Sequence, residues 1–200
     1  MKKLNISKQT DFIGCWNLEN DILCENIIKF FEERKDLQRT GITGYGKDEK
    51  AKKSIDISID PKNLELEDYK IFKIYMGELF KCYKDYKSQW SFLQNNMKIL
   101  DIPRFNVQKY QTGGHYALLH SERTTSQSMY RVFAWMTYLN NVDDGGDTYF
   151  QHYDLKIKPE KGKTIIWPCE WTHAHSGEIL NKGLKYIITG WIQFPFFFDN

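Results

Sequence analysis

The segment RVFAWMTYLNNVDDGGDTYF, residues 131–150, carries the pattern that decides the fold. It begins with a run of aromatic and β-branched residues, passes through Asp143-Asp144-Gly145-Gly146, and ends with a second, shorter run of the same kind. Runs of this composition predict β-strands, and a cluster of turn-forming residues between two of them predicts a reversal of the chain. We therefore expect antiparallel strands here.

Comparable runs follow one another from Arg104 onward, separated by turn signals at 159–162 and 181–183. They include LKIKP, KTIIWP and LKYIITGWIQF. Many short strands at this spacing predict a β-sandwich or barrel. The predicted fold is therefore mostly β, a double-stranded β-helix of the jelly-roll or cupin-like kind, flanked by N-terminal helices.

The first hundred residues carry helical rather than strand periodicity. One helix is predicted over Cys24–Leu37, and a second, of roughly 30 residues, over Phe72–Met97, where apolar residues recur at steps of three and four. The second stripe is rich in aromatic residues, which favours packing against a sheet over the alternative of a coiled-coil dimer. Between the helices, KKSIDISID alternates like a short strand or an extended loop. We predict one domain over 1–200, with a mainly helical support region over 1–100 and the β core over 101–200.

Composition excludes several classes of protein. The chain has 200 residues, with 28 basic and 26 acidic side chains and a net charge of +2, so no nucleic-acid or membrane partner is expected. Four scattered cysteines form no CxxC pair, the N-terminus lacks the apolar segment of a secretory signal, and no apolar run approaches the roughly 18 residues of a membrane span. We expect a cytoplasmic protein with free thiols. The oligomeric state is left open.

His120 and Glu122 lie two residues apart directly after an apolar run. On a strand, such residues face the same side with Cα atoms roughly 6.6 Å apart, so both could approach one metal ion. A third donor could come from His173 or His175, which also share a face if extended. Two histidines and a carboxylate on a β scaffold describe the facial triad of non-haem Fe(II) oxygenases, although an HxE pair by itself is more often a surface histidine beside a solvated glutamate.

Four ordered motifs extend through the second half of the chain. They are YQTGGHYALLHSE, YLNNVDDGGDTYF, LKIKPEKGKTIIWP and HSGEILNKGLKYIITGW. This set resembles the 2-oxoglutarate- and Fe(II)-dependent dioxygenases, and within them the prolyl 4-hydroxylase-like group, over about Phe105–Phe194. Two departures stand out: the carboxylate is glutamate where collagen-type members have aspartate, and one extra residue separates the double glycine from His120.

The resemblance implies a role for each matching residue. His120, Glu122 and His175 would be the catalytic iron ligands, with His175 chosen over His173 because it lies ten residues before Lys185. Lys185 would pair with the far carboxylate of 2-oxoglutarate and Tyr110 would hydrogen-bond the same molecule. We also expect Thr148 to border that pocket.

The resemblance also implies an activity. The cofactors would be Fe(II) and 2-oxoglutarate, with ascorbate as an optional addition, and O2 would be consumed. The reaction would hydroxylate a C–H bond of a peptide or small molecule, with peptidyl proline as the leading substrate, and release succinate and CO2. The alternative is a cupin-like metal-binding sensor without redox turnover, and the dicarboxylate clamp at Lys185 is the feature that separates the two.

Overall fold

The computed structural model describes residues 1–5, 11–44, 46–98 and 100–195. The helices are α1 (Asp21–Glu33), α2 (Lys70–Ser88) and α3 (Ser91–Asn96). The strands are β1 (Lys2–Lys3), β2 (Gly14–Asn17), β3 (Arg39–Thr40), β4 (Lys52–Lys53), β5 (Ile55–Ile59), β6 (Phe105–Gln111), β7 (His115–His120), β8 (Arg131–Tyr138), β9 (Thr148–Phe150), β10 (Leu155–Ile157), β11 (Lys163–Pro168), β12 (His175–Gly177) and β13 (Leu184–Gln193). The aromatic C-terminal segment FPFFFDN, residues 194–200, lies outside the described residues except for Phe194 and Pro195.

Two antiparallel sheets make up the body of the protein. The larger has the order β1-β2-β11-β8-β13-β6-β5-β3 and the smaller has the order β10-β9-β12-β7-β4. Strands adjacent in sequence are frequently not neighbours, so the chain crosses repeatedly between the sheets, as a jelly roll requires. The predicted double-stranded β-helix is confirmed.

The helices pack on the outer face of the larger sheet. On α2 the buried residues recur at helical spacing, and Tyr75 packs against Trp135 of β8 with ring centroids 5.7 Å apart. The buried set is Phe72, Tyr75, Leu79, Cys82 and Tyr86. Because this stripe is covered by the protein's own sheet, it is not available for a coiled-coil seam.

Both helices are shorter than the sequence predicts. The single helix over Phe72–Met97 is wrong, because α2 ends at Ser88 and Trp90 takes an extended backbone conformation before the short α3. That break lets the Trp90 ring pack on Tyr86, 4.7 Å away between centroids. Similarly, α1 ends at Glu33 and a 3-10 turn covers Lys35–Leu37.

Helical residues outnumber strand residues in the first hundred positions, but this region also contributes strands. β2 and β5 both lie within the larger sheet, where β5 pairs with β6 over five residues. The alternating apolar residues Ile55, Ile57 and Ile59 account for this pairing, since one face of the strand can then join the core. The sheet thus crosses the predicted boundary at residue 100, and the single domain over 1–200 stays a prediction. In the described part of the chain, no helix is long and apolar enough to cross a membrane.

Candidate metal centre and cosubstrate pocket

Two neighbouring strands bring two histidines face to face. His120 is the last residue of β7, His175 is the first of β12, and the two are direct partners in the antiparallel ladder. Their ring centroids lie 4.5 Å apart. Glu122 completes the group, and one donor atom from each of the three side chains lies within 4.8 Å of the others.

Glu122 does not lie on the strand that the alternation of His120 and Glu122 predicts. β7 ends at His120, and Glu122 sits in a bend two residues beyond it. The carboxylate therefore reaches the histidines because the chain turns at the end of β7. The sequence expectation was right about the proximity and wrong about the backbone geometry that produces it.

A bulge in β7 explains why the apolar run before His120 is not buried. His175 pairs with His120 and Gly177 pairs with Tyr116, so two steps along β12 oppose four along β7. The residues of β7 between these two pairs, Ala117 to Leu119, are exposed. The Tyr116 ring stacks on His120 with centroids 4.1 Å apart. Bulges of this kind redirect a side chain at the end of a strand, which is their effect on His120.

Backbone carbonyls hold both imidazoles in one orientation. His120 Nδ1 lies 2.8 Å from the carbonyl oxygen of Leu118, and His175 Nδ1 lies 2.9 Å from that of His173. A carbonyl only accepts hydrogen bonds, so this network assigns the proton to Nδ1 and leaves Nε2 of each ring as a lone-pair donor. Metal-binding histidines are commonly oriented in this way.

His173 belongs to the surroundings of the centre. Its side chain points to Asp11, with Nε2 2.8 Å from that residue's carbonyl oxygen, and only its own carbonyl supports His175. Burial lowers the pKa of His173, which favours the neutral ring. His175, and not His173, therefore lies beside His120 and Glu122, and its role as an iron ligand stays a prediction.

The two oxygens of Glu122 have separate partners. Oε1 faces the histidines, 3.6 Å from His120 Nε2 and 3.3 Å from His175 Nε2. Oε2 accepts a 2.7 Å hydrogen bond from the Trp191 indole. The indole N–H can only donate, so Oε2 is fixed as an acceptor. The group is therefore a carboxylate with one oxygen anchored and the other directed at the two imidazoles.

Arg131 and Trp191 are functional residues that sequence reasoning missed. Arg131 stacks on the Trp191 ring at 3.6 Å and donates to the Glu122 carbonyl oxygen at 3.0 Å. Both side chains thus brace the carboxylate from the larger sheet. No spacing in the sequence links them to Glu122, since Trp191 lies 69 residues from it. A tryptophan in a strand-forming run is also what a plain core strand would contain.

Lys185 is a buried cation in the wall of the roll. It is 3% exposed, it is the cross-strand partner of Tyr110, and its Nζ lies 4.5 Å from the centre of the Tyr110 ring. Nζ donates a 2.7 Å hydrogen bond to the Gly146 carbonyl, and among the described residues no carboxylate lies within ion-pair distance of it. Burial lowers the pKa of Lys185 to about 8, although the Asp147 charge acts in the opposite direction. A buried ammonium without an anionic partner is costly unless an anion binds beside it.

The double glycine of the DDGG turn fits closely against that lysine. Gly146 has φ +75°, and a Cβ atom at this position would lie 3.3 Å from Lys185 Cδ and 3.5 Å from Nζ. A side chain here would be strained in the left-handed region and would crowd the ammonium group. The turn signal that predicts the fold therefore also supplies the backbone oxygen that holds Lys185.

Tyr110 and Thr148 are buried and already hydrogen-bonded within the protein. The Tyr110 hydroxyl donates to Gln108 Oε1 at 2.7 Å, and Thr148 Oγ1 accepts from the Tyr138 hydroxyl at 2.6 Å. Thr148 is also the cross-strand partner of Gly177, two residues after His175. Binding of 2-oxoglutarate by Tyr110 and Thr148 stays a prediction.

The residues present fit the groups that the sequence implies. Two imidazole nitrogens and a carboxylate oxygen, facing one another within 4.8 Å, match the donor types of a ferrous facial triad. The buried, anion-deficient Lys185 suits one carboxylate of a dicarboxylate. The fold and site together define a jelly-roll protein with a two-histidine, one-carboxylate centre.

Comparisons with known proteins agree with the resemblance that the sequence motifs carry. Residues 105–193 match the model of the 2OG-Fe(II) oxygenase superfamily. The chain is 28% identical over 123 residues to the probable prolyl 4-hydroxylase 9 of Arabidopsis thaliana, a match that covers 46% of this chain and 43% of the plant protein. The match thus spans less than half the length of that relative.

Solved structures show the same fold. The viral collagen prolyl hydroxylase from Paramecium bursaria Chlorella virus-1, in its 2OG complex, has a TM-score of 0.66 at 17% identity and covers 94% of this chain and 98% of that one. The Trichoplax adhaerens prolyl hydroxylase, in complex with a hypoxia inducible factor peptide fragment, has a TM-score of 0.70 at 14% identity and covers 92% and 84%. At these identities the likeness establishes the double-stranded β-helix.

Proposed function

We propose that this protein is a 2-oxoglutarate- and Fe(II)-dependent dioxygenase that hydroxylates a C–H bond of its substrate. The observation that carries the proposal is the joint presence, in one roll, of the His120–Glu122–His175 centre and of the buried Lys185 without a carboxylate partner. A cupin-like sensor without turnover would need the metal centre but not the buried lysine. That alternative is not favoured.

The three donor side chains would hold Fe(II) through Nε2 of each histidine and Oε1 of Glu122. Three ligands leave open positions on an ion that prefers six, and these positions can accept a chelating cosubstrate and O2. When bound, Fe(II) with 2-oxoglutarate and O2 supplies the oxidising chemistry: one oxygen atom enters the substrate C–H bond, the other enters succinate, and CO2 is released. The protein's own contribution is to bind, orient and exclude water.

Lys185 would hold the far carboxylate of 2-oxoglutarate. Its ammonium group is fixed by the Gly146 carbonyl and by the Tyr110 ring, so it is oriented before the ligand arrives. Burial strengthens the resulting charge-assisted hydrogen bond, because the local dielectric constant is lower than that of water. The interaction also returns the lysine to its charged form, since an adjacent anion raises its pKa.

For the substrate we propose a peptide, with peptidyl proline first. The plant relative bears the name prolyl 4-hydroxylase, and the Trichoplax neighbour is described with a peptide fragment. Exposed apolar side chains lie close in sequence to the metal donors: Leu118 and Leu119 directly before His120, and Trp171, 69% exposed, four residues before His175. Such surfaces can contact an extended chain. Ascorbate remains an optional addition.

We also propose that the protein works in a reducing compartment, the cytoplasm. All four cysteines are buried as free thiols, and burial raises the pKa of Cys15 to about 12 and that of Cys24 to about 11. Protonated, buried thiols react slowly, so they suit a structural role in a reducing environment.

The test is coupled turnover by the purified chain. Succinate release should require both Fe(II) and 2-oxoglutarate, rise when a proline-containing peptide is added, and accompany a gain of one oxygen atom in the peptide mass. Glu122→Ala should abolish both signals, while His115→Ala, which removes a histidine from the other end of the same strand, should retain them. Iron binding without succinate release under any substrate would instead support the sensor. If succinate release requires iron and 2-oxoglutarate but no peptide stimulates it, the peptide substrate is excluded and the dioxygenase proposal stands.

A further inference from the structure

A buried polar chain leads from the edge of the roll to the cosubstrate pocket. Asp56 on β5 accepts from Lys52 Nζ at 2.7 Å and from Ser54 Oγ at 2.7 Å. The side-chain amide of Gln108 on β6 also donates to this carboxylate, with Nε2 3.3 Å from Oδ2. Lys52 is 4% exposed, Gln108 is 6% exposed and the Asp56 side chain is 14% exposed, so most of the group is removed from water.

This arrangement determines which way the Gln108 amide points. A carboxylate can only accept hydrogen bonds, so the amide NH2 must face Asp56 and the amide oxygen must face the other way. The other neighbour is the Tyr110 hydroxyl, 2.7 Å from Oε1. Since an amide oxygen only accepts, Tyr110 must be the donor.

The Tyr110 hydroxyl consequently has no proton left for a ligand. Its other hydrogen-bond neighbour, the Ser54 hydroxyl, already donates its own proton to Asp56 and can only accept. A phenol carries one proton, and burial raises the pKa of Tyr110 well above its ordinary value, with the Asp56 charge acting in the same direction, so the phenol stays neutral. Its oxygen can still accept, but both carboxylates of 2-oxoglutarate lack protons to donate. An approaching carboxylate would meet a lone pair.

What Tyr110 does present to the pocket is its ring. Lys185 Nζ lies 4.5 Å from the ring centre, within the range of a cation–π interaction, and the two residues are cross-strand partners. The ring thereby holds the ammonium group in place, and the hydrogen bond to Gln108 fixes the ring.

We infer that Gln108, oriented by the Asp56–Lys52 pair, is a positioning residue of the cosubstrate pocket, and that Tyr110 serves 2-oxoglutarate through its ring face rather than through its hydroxyl. This inference rests on the proposed function, because it concerns the same pocket. It replaces the hydrogen bond from Tyr110 to 2-oxoglutarate that the sequence motif implies.

Equilibrium binding tests the inference without turnover. The dissociation constant of 2-oxoglutarate is measured by calorimetry, without O2, on protein loaded with Mn(II), and the melting temperature is recorded for each variant. Tyr110→Phe keeps the ring, so we expect the dissociation constant to stay within about twofold, while the melting temperature falls because Gln108 Oε1 loses its buried donor. Tyr110→Leu removes the ring and should weaken binding about tenfold, within the range of a desolvated cation–π contact.

A comparison of Tyr110→Phe in two backgrounds makes the test independent of any single variant. When Gln108→Leu is combined with Ser54→Ala, both acceptors of the Tyr110 proton are removed and the proton can be given to the ligand, so adding Tyr110→Phe to this background should now weaken 2-oxoglutarate binding by about tenfold. Tyr110→Phe in the wild-type background should leave the dissociation constant of 2-oxoglutarate within about twofold. A tenfold loss in Tyr110→Phe alone would overturn the inference, as would equal effects of Tyr110→Phe in both backgrounds. If wild-type protein binds Mn(II) but shows no 2-oxoglutarate binding, the proposed function fails instead.

Discussion

The metal centre and the proposed cosubstrate pocket lie in the same roll but are built in different ways. The residues proposed for the pocket, Tyr110, Thr148 and Lys185, lie within regular strands, and their neighbours follow from cross-strand register. The metal donors lie where regular structure ends: His120 after a bulge at the end of β7, Glu122 in the bend beyond it, and His175 at the first residue of β12. Irregular backbone is what lets three side chains converge on one point, whereas a regular ladder is sufficient to place a buried lysine against an aromatic ring.

The two regions also differ in how they neutralise buried charge. In the centre, Glu122 Oε2 accepts a hydrogen bond from Trp191 and lies 3.8 Å from Arg131 Nη1, while Oε1 faces two imidazole lone pairs. In the pocket, the Lys185 ammonium has only a carbonyl and a ring as partners. The centre therefore needs a cation and the pocket needs an anion. Substitutions should separate metal binding from 2-oxoglutarate binding if this comparison is correct.

The largest effect is expected from the donors themselves. His120→Ala, Glu122→Ala and His175→Ala should each abolish Fe(II) binding and turnover, because two remaining donors cannot hold the ion. His173→Ala is the matched control: its carbonyl support to His175 belongs to the backbone, so iron and part of the activity should persist. Metal content and succinate release measure both. Loss of iron from His173→Ala with retention in His175→Ala would reverse the assignment.

Lys185→Ala should weaken 2-oxoglutarate binding and leave the metal centre intact. The lost charge-assisted hydrogen bond is worth roughly 1.5–3 kcal/mol, so the dissociation constant of 2-oxoglutarate should rise by about tenfold to hundredfold with little change in Fe(II) affinity. Lys185→Arg should have a smaller effect that is still measurable, because a planar guanidinium differs from a point charge. Lys156→Ala, at an exposed lysine, serves as the control. An unchanged affinity in Lys185→Ala would remove the main support for the dioxygenase assignment.

Trp191→Phe should lower the metal affinity of the centre and leave 2-oxoglutarate binding at the proposed pocket unchanged. It removes the 2.7 Å hydrogen bond that anchors Glu122 Oε2 while keeping an aromatic ring under Arg131. Loss of such an outer contact costs roughly 10–100-fold in metal affinity, and because the second oxygen is untouched we expect about tenfold. Trp171→Phe, at an exposed tryptophan, should leave metal binding unchanged. Equal metal affinity in wild type and Trp191→Phe would show that the indole is only a packing group.

The smallest effect concerns pH. Burial lowers the pKa of Lys185 to about 8, so in the ligand-free protein the ammonium form is present below pH 8 and is lost above it. Affinity for 2-oxoglutarate should be nearly constant up to pH 7.5 and weaken as pH rises through 8, by about fourfold between pH 7 and 8.5 if only the charged form binds. Calorimetry across this range on Mn(II)-loaded protein measures the change. Lys185→Arg stays charged and should not show this pH dependence.

The sequence predicted the roll and brought the right candidates to attention. Strand-forming runs and turn signals identified the β core, and the motif order pointed to His120, Glu122, His175 and Lys185. It overestimated the second helix, because periodicity alone does not reveal that Trp90 leaves the helical conformation to pack on Tyr86. It anticipated a strand in KKSIDISID, where β5 lies, but it overlooked β2, since a four-residue strand is recognised mainly by its partner.

What the sequence determined by itself is local: which residue types occur, at what spacing, and in what order. Those quantities suffice for strands, turns and a set of donor side chains. Only the tertiary structure decided that the apolar run before His120 is extruded as a bulge, that Trp191 and Arg131 brace Glu122, and that Gln108 takes the Tyr110 proton. Each of these depends on which strands pair and in what register, and hydrogen-bond direction depends on the partner that the fold supplies. Contacts between residues far apart in the chain have no signature in the spacing of either residue, so the fold must be known before they can be identified.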